Sequence, residues 1–113
     1  MSSVAVPGQN DAVVHNVEQH KLGQWEPIKD VKDPYVQELG RFGVMEANKQ
    51  SGGNLIFNRV DFGERKVVAG IEYRLRVVVE KPGDNGIYFY MILVLDNKLE
   101  STWKFLSIEP FLK

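Results

Sequence analysis

From Tyr35 to Gln50 the apolar side chains recur every three or four positions. Tyr35, Val36, Leu39, Phe42 and Val44 fall toward one side; Arg41, Glu46 and Lys49 fall toward the other. That spacing predicts an amphipathic helix. Asp33 suits its N-cap, Pro34 its first position, and Ser51-Gly52-Gly53 its stop. Gly40 and Gly43 lie inside the helix, where each costs up to about 1 kcal/mol relative to alanine. Spaced three apart they share a face, which predicts a sheet packed close against it.

Beyond Gly53 the period changes from 3.6 to two. Leu55, Phe57, Arg59 and Asp61 alternate with Ile56, Asn58, Val60 and Phe62. Tyr73, Leu75, Val77 and Val79 alternate with Arg74, Arg76, Val78 and Glu80, and Phe105, Ser107 and Glu109 with Leu106, Ile108 and Pro110. Strands are expected over Asn54–Arg65, Ile71–Glu80, Ile87–Leu95 and Lys104–Pro110, with a short one within Gln24–Ile28. The Ile87–Leu95 run is apolar on both faces, a pattern that favours self-association. Pro82–Gly86 reads as a turn, with Asn85-Gly86 as a primed-turn pair. Asp96–Ser101 reads as a polar connection whose carboxylates are solvated. The expected class is α+β: one long helix packed across an antiparallel four- to five-stranded sheet. Residues 1–21, where Val13, Val14 and Val17 form at most a weak local element, are expected to be a flexible arm; residues 22–113 form the domain.

One connection breaks the usual rules. Lys66-Val67-Val68-Ala69-Gly70 joins two long strands. Turns ordinarily carry Asn, Asp, Gly or Pro, which tolerate positive φ or bond their own backbone. Here a β-branched pair sits at the bend with only Gly70 to ease it. Two readings stay open: a tip built to enter an apolar cleft, or valines folded inward as a tight core hairpin.

The rest of the composition mostly excludes. The chain has 113 residues, 43% hydrophobic and 26% charged, which fits one globular core. A net charge of -1 provides no basic field for nucleic acid or an anionic membrane. The aliphatic run Met91–Leu95 is far short of the roughly 20 residues a membrane helix needs, even with the aromatic stretch before it. Cysteine is absent, so thiol chemistry and disulfides are too. Met1–Gln24 lacks a basic stretch followed by an apolar one, so no signal peptide is expected in the chain as it stands. The compartment is left open between secretion with a signal removed and the cytoplasm. His15 and His20, with Glu18 between them, lie in the arm, and no metal site is expected there. No Ser-His-Asp order, phosphate loop or paired buried carboxylates point to an enzyme, and no cofactor is expected.

Several segments together resemble the phytocystatins, plant inhibitors of papain-like cysteine peptidases. Gly23-Gln24-Trp25-Glu26-Pro27-Ile28-Lys29-Asp30 is similar to the opening of many members. Leu39-Gly40-Arg41-Phe42-Gly43-Val44-Met45-Glu46-Ala47-Asn48 is similar to the plant helix signature. KVVAG corresponds to the family's Gln-x-Val-x-Gly loop, and Phe105–Pro110 resembles its closing strand. The similarity runs from about Leu22 to Phe111.

The resemblance implies a sheet wrapped around the long helix. It also implies a reversible, tight-binding inhibitor whose N-terminal trunk and two hairpin loops form a wedge that plugs the peptidase cleft. The trunk corresponds to Leu22 and Gly23, and the first loop to Lys66, Val67, Val68, Ala69 and Gly70. Lys66 stands where the family usually has Gln, bringing a charge expected to cost affinity or change the target. Gly43 and Ala47 replace more usual helix residues. In the second loop the family carries Pro-Trp; Lys98-Leu99 aligns there, and the nearest tryptophan is Trp103. Leu99 and Trp103 are thus the candidate anchors, with Trp103 either facing the cleft or packed on the sheet edge. Segment exchange, a tendency of the family, implies a monomer with some domain-swapped dimer, opened at a strained Val67-Val68 turn. Two other functions compete: a cystatin-fold interaction module with weak or no inhibition, and a small-ligand protein of helix-on-sheet type.

Overall fold

A computed structural model describes residues 22–112. The expected arm, with His15, His20 and the three valines Val13, Val14 and Val17, lies outside the described residues, as does Lys113. Strand β1 is Glu26–Pro27, helix α1 Pro34–Ser51, and strands β2 to β5 are Ile56–Val67, Ile71–Lys81, Asp84–Asn97 and Thr102–Pro110. The five strands form one antiparallel sheet in chain order. Among the described residues no helix is long and apolar enough to cross a membrane.

The helix begins and ends where local chemistry dictates. The Asp33 carboxylate accepts the Tyr35 N–H at 2.9 Å, and Pro34 follows at the first helical position, where no N–H is required. At the other end Gly52 adopts φ +71° and its N–H returns to the Asn48 carbonyl at 2.9 Å. The buried stripe is Val36, Leu39, Gly40, Gly43, Val44 and Ala47. It packs on Tyr73, Leu75, Val77 and Val79 of β3 and Ile92 and Val94 of β4. The two helix glycines make this approach possible. A Cβ on Gly40 would collide with Val60 Cγ2, and one on Gly43 with Ile92 Cδ1. The expectation of a sheet against this face therefore holds.

Simple alternation fails in β2 and β5. Asn58 and Asp61 fall outside the backbone register with β3, because it shifts between Phe57 and Arg59 and again between Val60 and Phe62. These bulges turn Phe57 and Val60 to the same side, where both would meet a Cβ on Gly40, although strict alternation puts them on opposite faces. Gln37 serves the disturbed backbone: its Oε1 accepts the Val60 N–H at 3.0 Å and its Nε2 donates to the Val60 carbonyl at 3.1 Å. In β5, Leu106 is the extra residue between Phe105 and Ser107.

Two connections also differ from expectation. The β3–β4 turn is Pro82-Gly83, with Gly83 at φ +81° and Lys81 paired to Asp84. Proline followed by a positive-φ glycine suits a type II turn. Asn85-Gly86 is instead the unpaired bulge between Asp84 and Ile87. The first hairpin is tighter than KVVAG suggests. Lys66 pairs with Glu72 and Val67 with Ile71, leaving Val68-Ala69-Gly70 as the tip. No residue of that tip has positive φ, so backbone strain does not prime it to open.

The outer face of β4 is not bare. Phe89, Met91 and Leu93 are half-buried. Arg76 lies within 5.8 Å of the Phe89 ring centroid and 5.0 Å of that of Phe111, while Asp61 accepts from its Nε at 2.7 Å. Arg74 stacks 4.2 Å from the Trp25 ring centroid. Ile87 stays exposed.

Candidate functional site

Three segments come side by side at one end of the sheet. The Gly23 N–H donates to the Val67 carbonyl at 3.0 Å, tying the trunk to the end of β2. Ile71, at the start of β3, pairs with both Val67 and Asp96, and Asp96 pairs with Trp103. The trunk, the Val68–Gly70 tip and the β4–β5 loop thus adjoin in that order.

Each contributes an apolar side chain to solvent. Leu22 is 69% exposed, Val68 40% and Leu99 89%. Gly23 sits at φ +76° with open space where a Cβ would be, so its glycine serves conformation and not room. Gly70 is the opposite case: a Cβ would lie 2.6 Å from the Asp96 carbonyl oxygen and 3.5 Å from Asn97 Cα. Val67 is half-buried in the strand, and Ala69 is exposed beside Val68.

Lys66 lies back from the tip, on the strand. Its ammonium is 3.7 Å from a Glu72 carboxylate oxygen and 4.7 Å from the Trp25 ring centroid. The expected free charge at the loop is therefore paired within β2 and β3.

Trp103 belongs to β5, which starts at Thr102. Its ring meets Tyr35 and Phe42 of α1 edge-on, with centroids 5.6 and 5.5 Å away. Its Nε1 donates to Tyr35 Oη at 3.2 Å. Leu99, at the loop's apex, is the apolar side chain presented outward. In that loop Asn97 Oδ1 accepts the Glu100 N–H at 3.1 Å and Ser101 takes φ 54°.

Asp96, expected to be solvated, is 2% exposed. Strand β4 runs two residues past Leu95, and the alternation of Ile92 and Val94 carries Asp96 to the helix side. Its carboxylate accepts from Tyr35 Oη at 2.5 Å and from Lys98 Nζ at 3.0 Å. Burial works to lower the Lys98 pKa, but the hydrogen bond and charge of Asp96 outweigh it, so the ammonium titrates above the ordinary lysine value. Neighbouring Tyr73 is pushed up chiefly by burial, with Lys98 acting in the other direction. Tyr35 and Asp96 are the residues that sequence reasoning missed. The signal was present: Asp96 continues the inward-facing series of β4 by period two.

One helix across a five-stranded antiparallel sheet, with three apolar projections at one end, defines a cystatin-type architecture. A salivary cystatin from the soft tick Ornithodoros moubata shares the fold: TM-score 0.69, 16% identity, covering 80% of this chain and 98% of that one. A family model described as "Aspartic acid proteinase inhibitor" matches residues 28–111. A putative cysteine proteinase inhibitor 7 from rice, Oryza sativa subsp. japonica, is 36% identical over 100 residues, spanning 88% of this chain and 85% of its own. Cysteine proteinase inhibitor 5 from Arabidopsis thaliana is 40% identical over 90 residues, spanning 80% and 73%. The chain belongs to this family of plant cystatins, a family of proteinase inhibitors and not of enzymes.

Proposed function

We propose that this chain is a reversible inhibitor of papain-like cysteine peptidases that plugs the active-site cleft with a three-part wedge. Leu22-Gly23 forms the trunk, Val68-Ala69-Gly70 the first loop, and Lys98-Leu99 the second. The observation that carries the reading is the convergence of Leu22, Val68 and Leu99, three exposed apolar side chains from three adjoining segments. Clustered exposed apolar groups mark interaction sites. Burying Val68 and Leu99 in a cleft contributes at most about 1.5–3 kcal/mol each. No peptide bond is offered for cleavage, so the inhibitor is not consumed. Lys66 and Val67 support the tip from the strand, and Trp103 supports the second loop from behind. Segment exchange through the first hairpin would add a dimer to the monomer; size-exclusion chromatography after heating at high concentration reads that population.

Titration of papain with the parent chain and with Val68→Asp tests the reading. We expect stoichiometric inhibition by the parent and a loss of at least tenfold for the variant, since a buried unpaired carboxylate costs several kcal/mol. An inactive parent at micromolar concentration overturns it. Pepsin belongs in the same experiment, because the matching family model carries an aspartic-proteinase description. Inhibition of pepsin alone would move the target class.

A second reading, a cystatin-fold module that binds partners without inhibiting, is favoured by one observation: Trp103 packs on the helix, leaving no aromatic anchor in the second loop. Recovery of a partner other than a peptidase, together with an inactive parent, would select it.

A further inference from the structure

Both loops of the wedge meet at one buried residue. The Asp96 carbonyl oxygen is the atom against which Gly70 packs, and the Asp96 carboxylate lies beneath the second loop. The carboxylate accepts hydrogen bonds from the Tyr35 hydroxyl at 2.5 Å and from the Lys98 ammonium at 3.0 Å. The Tyr35 oxygen then accepts from Trp103 Nε1 at 3.2 Å and lies 3.5 Å from Lys98 Nζ. A hydroxyl has one proton and two lone pairs, so every bonding capacity of Tyr35 is used. The loop above contains Ser101 in the left-handed region. A non-glycine residue holds that conformation only where its surroundings over-determine it. A buried carboxylate is also a costly way to fill a place between strand and helix; apolar residues do it in the same register at Ile92 and Val94.

We propose that Tyr35 and Asp96 are positioning residues that set the separation of the two loops and hold Lys98-Leu99 in the shape the cleft receives. The inference rests on the inhibitor reading. The first turn of helix α1 thereby acts on affinity through Leu99.

The test is a double-mutant cycle with an independent dynamic readout. Tyr35→Phe keeps the ring against Trp103 and removes only the hydroxyl. Inhibition of papain is measured for the parent, Tyr35→Phe, Leu99→Ala and the double variant, and amide hydrogen exchange over residues 98–101 is measured for the parent and Tyr35→Phe. We expect Tyr35→Phe to weaken inhibition about tenfold, the scale of one hydrogen bond to a charged group. In the Leu99→Ala background the same change should cost less than about twofold, because the residue it positions is gone. Exchange over 98–101 should accelerate, while Leu75–Val79 stays protected. Asp96→Asn, which keeps an acceptor for Tyr35 but loses the charge opposite Lys98, should show the same pattern more weakly. Unchanged exchange over 98–101, or a full tenfold loss persisting in the Leu99→Ala background, overturns the inference. A parent inactive on papain defeats the inhibitor reading instead, and the exchange measurement then still decides whether the Tyr35–Asp96 clamp holds the loop.

Discussion

Gly70 packs so closely on Asp96 that a Cβ there would lie 2.6 Å from the Asp96 carbonyl oxygen. The atom is backbone, inside the β3–β4 ladder, and cannot rotate away. Gly70→Ala must therefore push the first loop off the second. Overpacking of this kind costs roughly 1–3 kcal/mol. We expect inhibition to weaken at least about tenfold, while far-UV circular dichroism stays unchanged, because the strain falls at the tip. Equal inhibition by the variant would show that the spacing of the loops is immaterial.

The helix glycines make a prediction about packing. Val60 is β-branched and stiff, whereas Ile92 meets Gly43 with the far end of its side chain. Gly40→Ala should therefore destabilise more than Gly43→Ala, by about 1–3 kcal/mol, even though alanine is the better helix former. Ile92→Val removes the colliding Cδ1 and should rescue Gly43→Ala but not Gly40→Ala. Urea denaturation of the singles and doubles reads the cycle.

Lys66 is paired with Glu72 and lies over Trp25, away from the tip. Lys66→Gln should then leave inhibition within about threefold, since partly exposed ion pairs contribute about 0–1 kcal/mol. A loss or gain of tenfold would return the lysine charge to the binding surface.

The alkaline limb of stability follows from two raised pKa values. The folded chain holds the Lys98 proton more tightly than the unfolded chain. Its contribution is complete below the ordinary value of 10.5 and disappears as pH rises through the folded value. Tyr73, raised by burial from 10.0, adds loss in the same direction above that pH. We expect flat stability on both accounts from pH 7 to 9 and a decline above about 10, followed by circular dichroism. Tyr73→Phe should shift the decline to higher pH.

Acid acts at the other end of the molecule. The Tyr88 hydroxyl donates to Asp84 and, with the Gly86 N–H at 2.8 Å, holds that carboxyl below its usual pKa. The contact is complete above pH 3.8 and is lost as pH falls through the folded value. The protection of the Gly86 amide, taken relative to its intrinsic exchange rate, should fall as pH drops below 3.8 through the folded value and approach that of Asp84→Asn.

Much of this molecule is legible along the chain because its causes are local. Asp33, Pro34 and Gly52 place the helix ends through bonds within a few residues and through one positive φ. The paired glycines announce a close sheet because helical geometry alone puts them on one face. Strand period and the apolar connection at Val67-Val68 likewise need no partner to be recognised. The bulges at Asn58, Asp61 and Leu106 are different. An extra residue exists only relative to the strand opposite, so the faces of β2 and β5 are decided when β3 and β4 pair with them. The same holds for Asp96 and Trp103. Both carry polar groups; along the chain Asp96 reads as solvated, and Trp103 as facing either the cleft or the sheet edge. The helix supplies Tyr35, one hydroxyl that can satisfy both, 61 residues from the first and 68 from the second. That meeting draws Trp103 back against the helix and leaves Leu99 to face outward.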